Sequence, residues 1–200
     1  MRIAAIFSLF FITGCSNATF DAGGFDGGSE SEGGTDGGSL AQAIDPIAMG
    51  YSWTYDVSVA GTYPSCTNGS GTGSVTQEST LGGKDAFYVS SFCSGVDSIW
   101  YSADGDRVYE YDGSNWLIAI DSPVEDGHTW TTSGVTYVWK KIGALTVKAG
   151  TFADCWEIDD QGESAYYAAT LCRGVGPVKW HVRDQTGNNG YDAELTSKSF

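Results

Sequence analysis

Between Tyr51 and Val59 apolar and polar residues alternate without a break. Tyr51, Trp53, Tyr55, Val57 and Val59 fall on one side of the pattern, and Ser52, Thr54, Asp56 and Ser58 on the other. A period of two belongs to a strand with one buried and one wet face, and a helix cannot satisfy it. The pattern returns at Val135, Tyr137 and Trp139, at Val178, Trp180 and Val182, and at Tyr191, Ala193 and Leu195. Turn signals separate the runs: Asp104-Gly105 precedes Val108-Tyr109, and Asp112-Gly113 precedes Trp116-Leu117-Ile118. Such pairs supply the positive φ that tight hairpins need. Further breaks fall at Gly82-Gly83, Asp126-Gly127, Gly162 and Gly187-Asn188-Asn189-Gly190, and no segment sustains a 3.6 period with caps. The spacing predicts an all-β, single antiparallel domain of about ten to twelve strands, barrel or half-barrel-like. A β-sandwich is the alternative.

The strands are preceded by two segments of different character. Arg2 supplies a positive start, Ile3 to Phe11 is apolar except for Ser8, and Ile12-Thr13-Gly14-Cys15 closes the run. The run is too short to span a bilayer, which needs roughly 20 apolar residues, and it has the form of a signal-peptide core. Small residues followed by a cysteine resemble the cleavage and lipidation box of bacterial lipoproteins. That resemblance implies a signal peptide over 1–14, acylation of the Cys15 thiol and anchoring through several buried chains. It also implies sorting: Ser16, where an aspartate would favour inner-membrane retention, points to the outer membrane of a Gram-negative cell, on a face the sequence does not fix.

From Ser16 to Ala43 eight glycines and four serines accompany Asp21, Asp26, Glu30, Glu32 and Asp36, with no Lys or Arg. Such a composition cannot bury enough apolar area to offset its ordering entropy. Residues 15–43 are therefore expected to be a tether, spanning roughly 30 Å by the scaling of a Gly-rich coil. Residues 44–200 are expected to be one β domain. Beyond Arg2 the chain has nine Lys/Arg against 25 Asp/Glu, a net charge near −16. That excess opposes binding to nucleic acid, which depends on basic residues and counterion release, and favours solubility.

An internal echo bears on the cysteines. Ala60-Gly61-Thr62-Tyr63-Pro64-Ser65-Cys66 returns as Ala149-Gly150-Thr151-Phe152-Ala153-Asp154-Cys155, and Phe92-Cys93-Ser94-Gly95-Val96 as Leu171-Cys172-Arg173-Gly174-Val175. Gly50 to Tyr55 is matched loosely by Gly134 to Trp139. Three blocks in one order suggest two duplicated halves. An exported chain meets an oxidising compartment, and four cysteines allow three connectivities. If the halves correspond, the disulfides are Cys66–Cys93 and Cys155–Cys172. A hairpin turning at Gln161-Gly162 would also bring the second pair together. Zinc is disfavoured, because no two cysteines are spaced C-x2-C.

Three stretches carry a more specific likeness. Pro46 to Tyr55, Ala149 to Glu157 and Gly174 to Trp180 resemble a lipoprotein domain widespread in bacteria, marked by G-x-x-W-x-Y, K-x-G-T-F-x-x-C and G-V-G-x-V-K strands. The resemblance implies an antiparallel β fold in the cell envelope and carries no catalytic residues. Pro177 fills the open position of the last motif, where its missing N–H favours an edge or a bulge.

Candidates for chemistry are few. His128 lies in a turn beside Asp126-Gly127, and His181 points away from the Val178/Trp180/Val182 face. Neither has a sequence-adjacent partner for base catalysis. There is no G-x-S-x-G, H-E-x-x-H or P-loop, and Gly69 to Gly73 reads as a flexible loop. Asp104/Asp106 and Asp159/Asp160 offer oxygen ligands without EF-hand spacing. Seven Trp and eleven Tyr are the remaining signal; large aromatics fill cores or anchor interfaces. The expected function is that of a non-enzymatic, lipid-anchored envelope protein, with no cofactor or metal. Beyond the membrane its expected partner is a hydrophobic ligand or another envelope protein; a glycan-binding module or an anchored hydrolase is the alternative. No ligand-binding residue is singled out.

Overall fold

The computed structural model describes residues 42–160 and 166–200. The segments read as signal peptide and tether, Cys15 among them, and the Gly162 turn lie outside the described residues. Twelve strands follow one another: β1 (Ser52–Ala60), β2 (Gly69–Leu81), β3 (Lys84–Ser90), β4 (Ile99–Asp104), β5 (Arg107–Tyr111), β6 (Trp116–Ile120), β7 (Thr129–Thr132), β8 (Val135–Val147), β9 (Gly150–Asp160), β10 (Tyr166–Cys172), β11 (Gly176–Arg183) and β12 (Gly190–Lys198). All belong to one antiparallel sheet in the order β6-β5-β4-β3-β2-β1-β12-β11-β10-β9-β8-β7. The first and last strands pair in its middle, and the sheet curls until its edges β6 and β7 come near each other. The result is a nearly closed barrel, not a sandwich of two sheets.

The alternating residues build the two faces as the pattern requires. One inward row runs Trp139, Ile158, Ala169, Trp180, Ala193, Val57 across six paired strands. Small alanines flank the large Trp180, so bulk and gap alternate and the row interdigitates. Trp53, Tyr55, Tyr137, Trp139, Tyr167 and Tyr191 are all at most 6 % exposed and form an aromatic core. Trp53 Nε1 donates to the Val175 carbonyl at 2.6 Å, and the Tyr55 hydroxyl to the Pro177 carbonyl at 2.9 Å. These bonds satisfy the polar ends of buried rings, as burial demands.

Successive turns alternate between two ends of the barrel. At the proximal end, where the described chain enters, Ile44, Pro46 and Ile47 form a buried plug. The plug is tied by Ile44 N–H to Asp106 at 2.9 Å, by Gly174 N–H to the Ala43 carbonyl and by Arg173 to the Gln42 carbonyl. At the distal end Phe92 packs on Tyr55, Trp180 and Tyr191. The seam between β6 and β7 is spanned by residues 121–128, which Asp121 fastens through Arg107 at 2.7 Å and His128 at 3.2 Å.

The turn residues act as their chemistry suggests. Gly105 and Gly113 adopt positive φ between β4 and β5 and between β5 and β6. Pro177 sits beside a register shift in the β10–β11 ladder. The Leu195 carbonyl of β12 receives the Ala149 N–H at 3.0 Å. That donor comes from the tip of the long β8–β9 hairpin, which Gly143 (φ +78°) and two adjacent register shifts bend toward β12.

Candidate functional site

Both cysteine pairs are disulfide-bonded, at different places in the barrel. Cys155 and Cys172 are direct cross-strand partners on β9 and β10, with Cα atoms 4.0 Å apart. Cys66 and Cys93 join two distal loops, with Cα atoms 4.6 Å apart. The echo that singled out these pairs has an unexpected geometry. It matches β1 with β8, seven strands on, so in an alternating meander the matched strands run in opposite directions. Rotation about the barrel axis does not superpose the echoed segments.

A hollow lies outside the barrel. It is a trough of about 400 Å³ over β1, β12, β11, β10 and β9, overhung by Lys148. Strand register explains it. Two outward rows cross the sheet: Asp56, Glu194, Lys179, Thr170, Glu157, Lys140, and beside it Ser58, Asp192, His181, Ala168, Asp159. On β10 both members are small, Ala168 and Thr170, so the floor dips there between the longer side chains of β9 and β11. The bent β8–β9 hairpin supplies the overhang: Lys148 pairs with Asp56, and its N–H donates to Glu194 at 2.8 Å.

His181 stands in this trough with its Nδ1 2.5 Å from Asp192, whose other oxygen meets Arg183 at 2.5 Å. Partial burial pushes the Asp192 carboxyl up, but hydrogen bonds from Arg183 and His181 outweigh it and leave the pKa below the usual carboxylate value. Tyr166 packs edge-on against the imidazole at 5.1 Å. Among the described residues no hydroxyl lies within hydrogen-bond distance of His181, so a nucleophile–base pair is not assembled. His128 is occupied at the seam, with Asp121 at 3.2 Å and Trp130 stacked at 6.3 Å. Asp121 likewise is raised by burial and more strongly lowered by Arg107 and His128. Both histidines thus have carboxylate partners that are not adjacent in sequence.

The paired aspartates separate. Asp106 serves Ile44 and Arg173 at the plug. Asp159 joins the outward row and pairs with Lys140, while Asp160 takes the opposite side of its strand. Asp159 is 6 % exposed, and its Oδ1 has no hydrogen-bond partner among the described residues.

The aromatics divide by face. Beside the inward cluster, an outward group covers β3 to β6: Tyr88 lies 5.0 Å from Trp100, Tyr111 lies 5.0 Å from Trp116, and Lys84 sits over Tyr109 at 4.1 Å. All five rings are half-buried. A second hollow, about 410 Å³ and shallower, lies along the β1–β2 loop from Val59 to Asn68. The alternation marked the outward positions of β1, β11 and β12. It could not mark the trough, which needs the sheet order and the bent hairpin.

No protein-family model matches the sequence, and no curated protein matches it. Two solved structures are similar in fold. A candidate lipoprotein from Parabacteroides distasonis is 13% identical, with a TM-score of 0.49 over 79% of this chain and 99% of that one. A candidate exported protein with a YmcC-like fold from Bacteroides fragilis is 9% identical, with a TM-score of 0.47 over 80% and 100%.

Proposed function

We propose that this chain is a lipid-anchored cell-envelope protein whose β-barrel works as a non-enzymatic binding module, presenting its ligand site on the outer face. One observation carries the reading of the domain. The core aromatics are packed against one another, while a hollow of small-ligand size is external, rimmed by charged side chains and assembled from five strands. A carrier of apolar molecules needs an apolar cavity, so the geometry favours a polar ligand over the hydrophobic one expected from aromatic content. The trough volume falls within the ordinary range for small-ligand sites. The Ile12-Thr13-Gly14-Cys15 box supports the anchor, with Cys15 as the acylated residue and the outer membrane as the destination. The described chain enters at the proximal end, which supports a tether on that side and an open barrel flank.

The anchor is tested by metabolic palmitate labelling with membrane fractionation: the wild type should label and sediment, and Cys15→Ser should do neither. A Cys15→Ser protein that still labels and partitions into detergent contradicts the anchor. The binding role is tested by native purification from membranes and mass spectrometry of co-purifying small molecules. A co-purifying lipid would restore the hydrophobic-carrier reading, and recovery of neither ligand nor partner would count against a binding module.

A further inference from the structure

We infer that the trough recognises a zwitterion: an amino acid or short peptide carrying a free ammonium and a free carboxylate. This rests on the reading of the trough as the ligand site. Most of the charges around the trough already have partners. Asp56 is held by Lys148, Asp192 by His181 and Arg183, and Glu194 accepts the Lys148 N–H. Glu157 and Lys179 differ in this respect. Each has an opposite charge as its register partner, Lys140 and Glu194, yet neither side chain closes an ion pair or hydrogen bond among the described residues, and both line the hollow.

They stand on opposite walls. Glu157 on β9 and Lys179 on β11 are both register partners of Thr170 on β10. Two strand spacings put their backbones roughly 10 Å apart. Between them the floor is Ala168 and Thr170, 5 % and 7 % exposed and too short to fill the gap. Next to Glu157 on that side stands Asp159, whose carboxylate Lys140 already pairs. One wall therefore asks for a donor-bearing cation and the other for an anion.

A ligand with one charge would leave the second wall unmatched, and a neutral sugar would leave both. Unmatched charge in a partly desolvated site costs affinity, which is how such a site discriminates. An ammonium directed at Glu157 and a carboxylate directed at Lys179 satisfy both walls. The Thr170 hydroxyl between them can serve the intervening amide.

The test uses the full mature chain in detergent micelles and isothermal titration with the dipeptide alanyl-alanine. The N-acetylated and C-amidated forms of the dipeptide and a neutral disaccharide serve as comparisons. The free dipeptide should bind at least tenfold more tightly than either blocked form. Glu157→Gln should abolish the discrimination against the acetylated form, and Lys179→Gln that against the amide. Both substitutions keep most of the side-chain bulk and should leave the unfolding temperature unchanged, which separates a binding loss from a folding loss. No binding of the dipeptide, equal binding of blocked and free forms, tighter binding of the disaccharide, or indifference to both substitutions would overturn the inference. If the dipeptide fails while another polar molecule co-purifies from membranes, the binding module stands and only its zwitterion preference falls.

Discussion

Asp45 shows how one residue can couple the fold to pH. It sits in the plug with its carboxylate close to Gly176, where an added Cβ would meet its Oδ1 at 2.7 Å. Burial pushes its pKa up to about 7, and its charge raises the already buried hydroxyls of Tyr55, Tyr101 and Tyr167 further. The folded state therefore holds this proton to higher pH than the unfolded chain does. Its stabilising share is complete below about pH 4 and is lost as pH rises toward 7. Each tenfold gain in proton affinity on folding is worth about 1.4 kcal/mol, less whatever residual solvent contact screens. Asp45→Asn should flatten the loss of stability between pH 4 and 7 in urea titrations; an unchanged slope would show that the carboxylate is solvated. Trp53 offers a second measurement at this scale. Replacing it by phenylalanine leaves the buried Val175 carbonyl without its indole donor and opens a gap in the core. The cost should be about 2–4 kcal/mol in chemical unfolding.

Hairpins and staples are the units at the next scale. The disulfides close loops with sequence separations of 27 and 17, each expected to contribute roughly 3 kcal/mol by restricting the unfolded chain. Their removal should differ in a second readout. Cys155→Ala with Cys172→Ala lies within a ladder and should leave Trp fluorescence unchanged. Cys66→Ala with Cys93→Ala frees the loop that holds Phe92 against Trp180 and should alter it. The β8–β9 hairpin depends on Gly143, whose φ of +78° is unfavourable for any residue with a Cβ, although nothing crowds that position. Gly143→Ala should cost about 1–2 kcal/mol in thermal unfolding from backbone strain alone. It should also loosen the Lys148 overhang, read as faster amide exchange at Ala149.

At the scale of the whole molecule, the position of the ends decides how the domain meets its surroundings. Residues 42–47 close the proximal end, opposite the distal loops and away from the outer flank that carries the trough. Much of the fold was legible in the sequence. Alternation over Tyr51–Val59 marked β1 with its buried and exposed faces, and Asp-Gly pairs marked two hairpins, because both signals are local. The cysteine echo singled out the pairs that the structure joins, though its segments do not superpose by rotation about the barrel axis. The partners of His181 and His128 were not legible. Asp192 and Asp121 lie eleven and seven positions away in sequence and become neighbours through strand pairing and the seam loop.

Alone, the order of residues determined that this chain forms strands, which side of several strands is buried, and where several turns fall. It also carried the motif from which an anchor at Cys15 is inferred. Those properties depend on nearest neighbours along the chain and on the chemistry of single side chains. Closure of one sheet into a barrel, the pairing of β1 with β12, and the meeting of five strands and a bent hairpin in a charged trough were decided only in three dimensions. Each depends on contacts between residues many tens of positions apart, whose register no local pattern encodes.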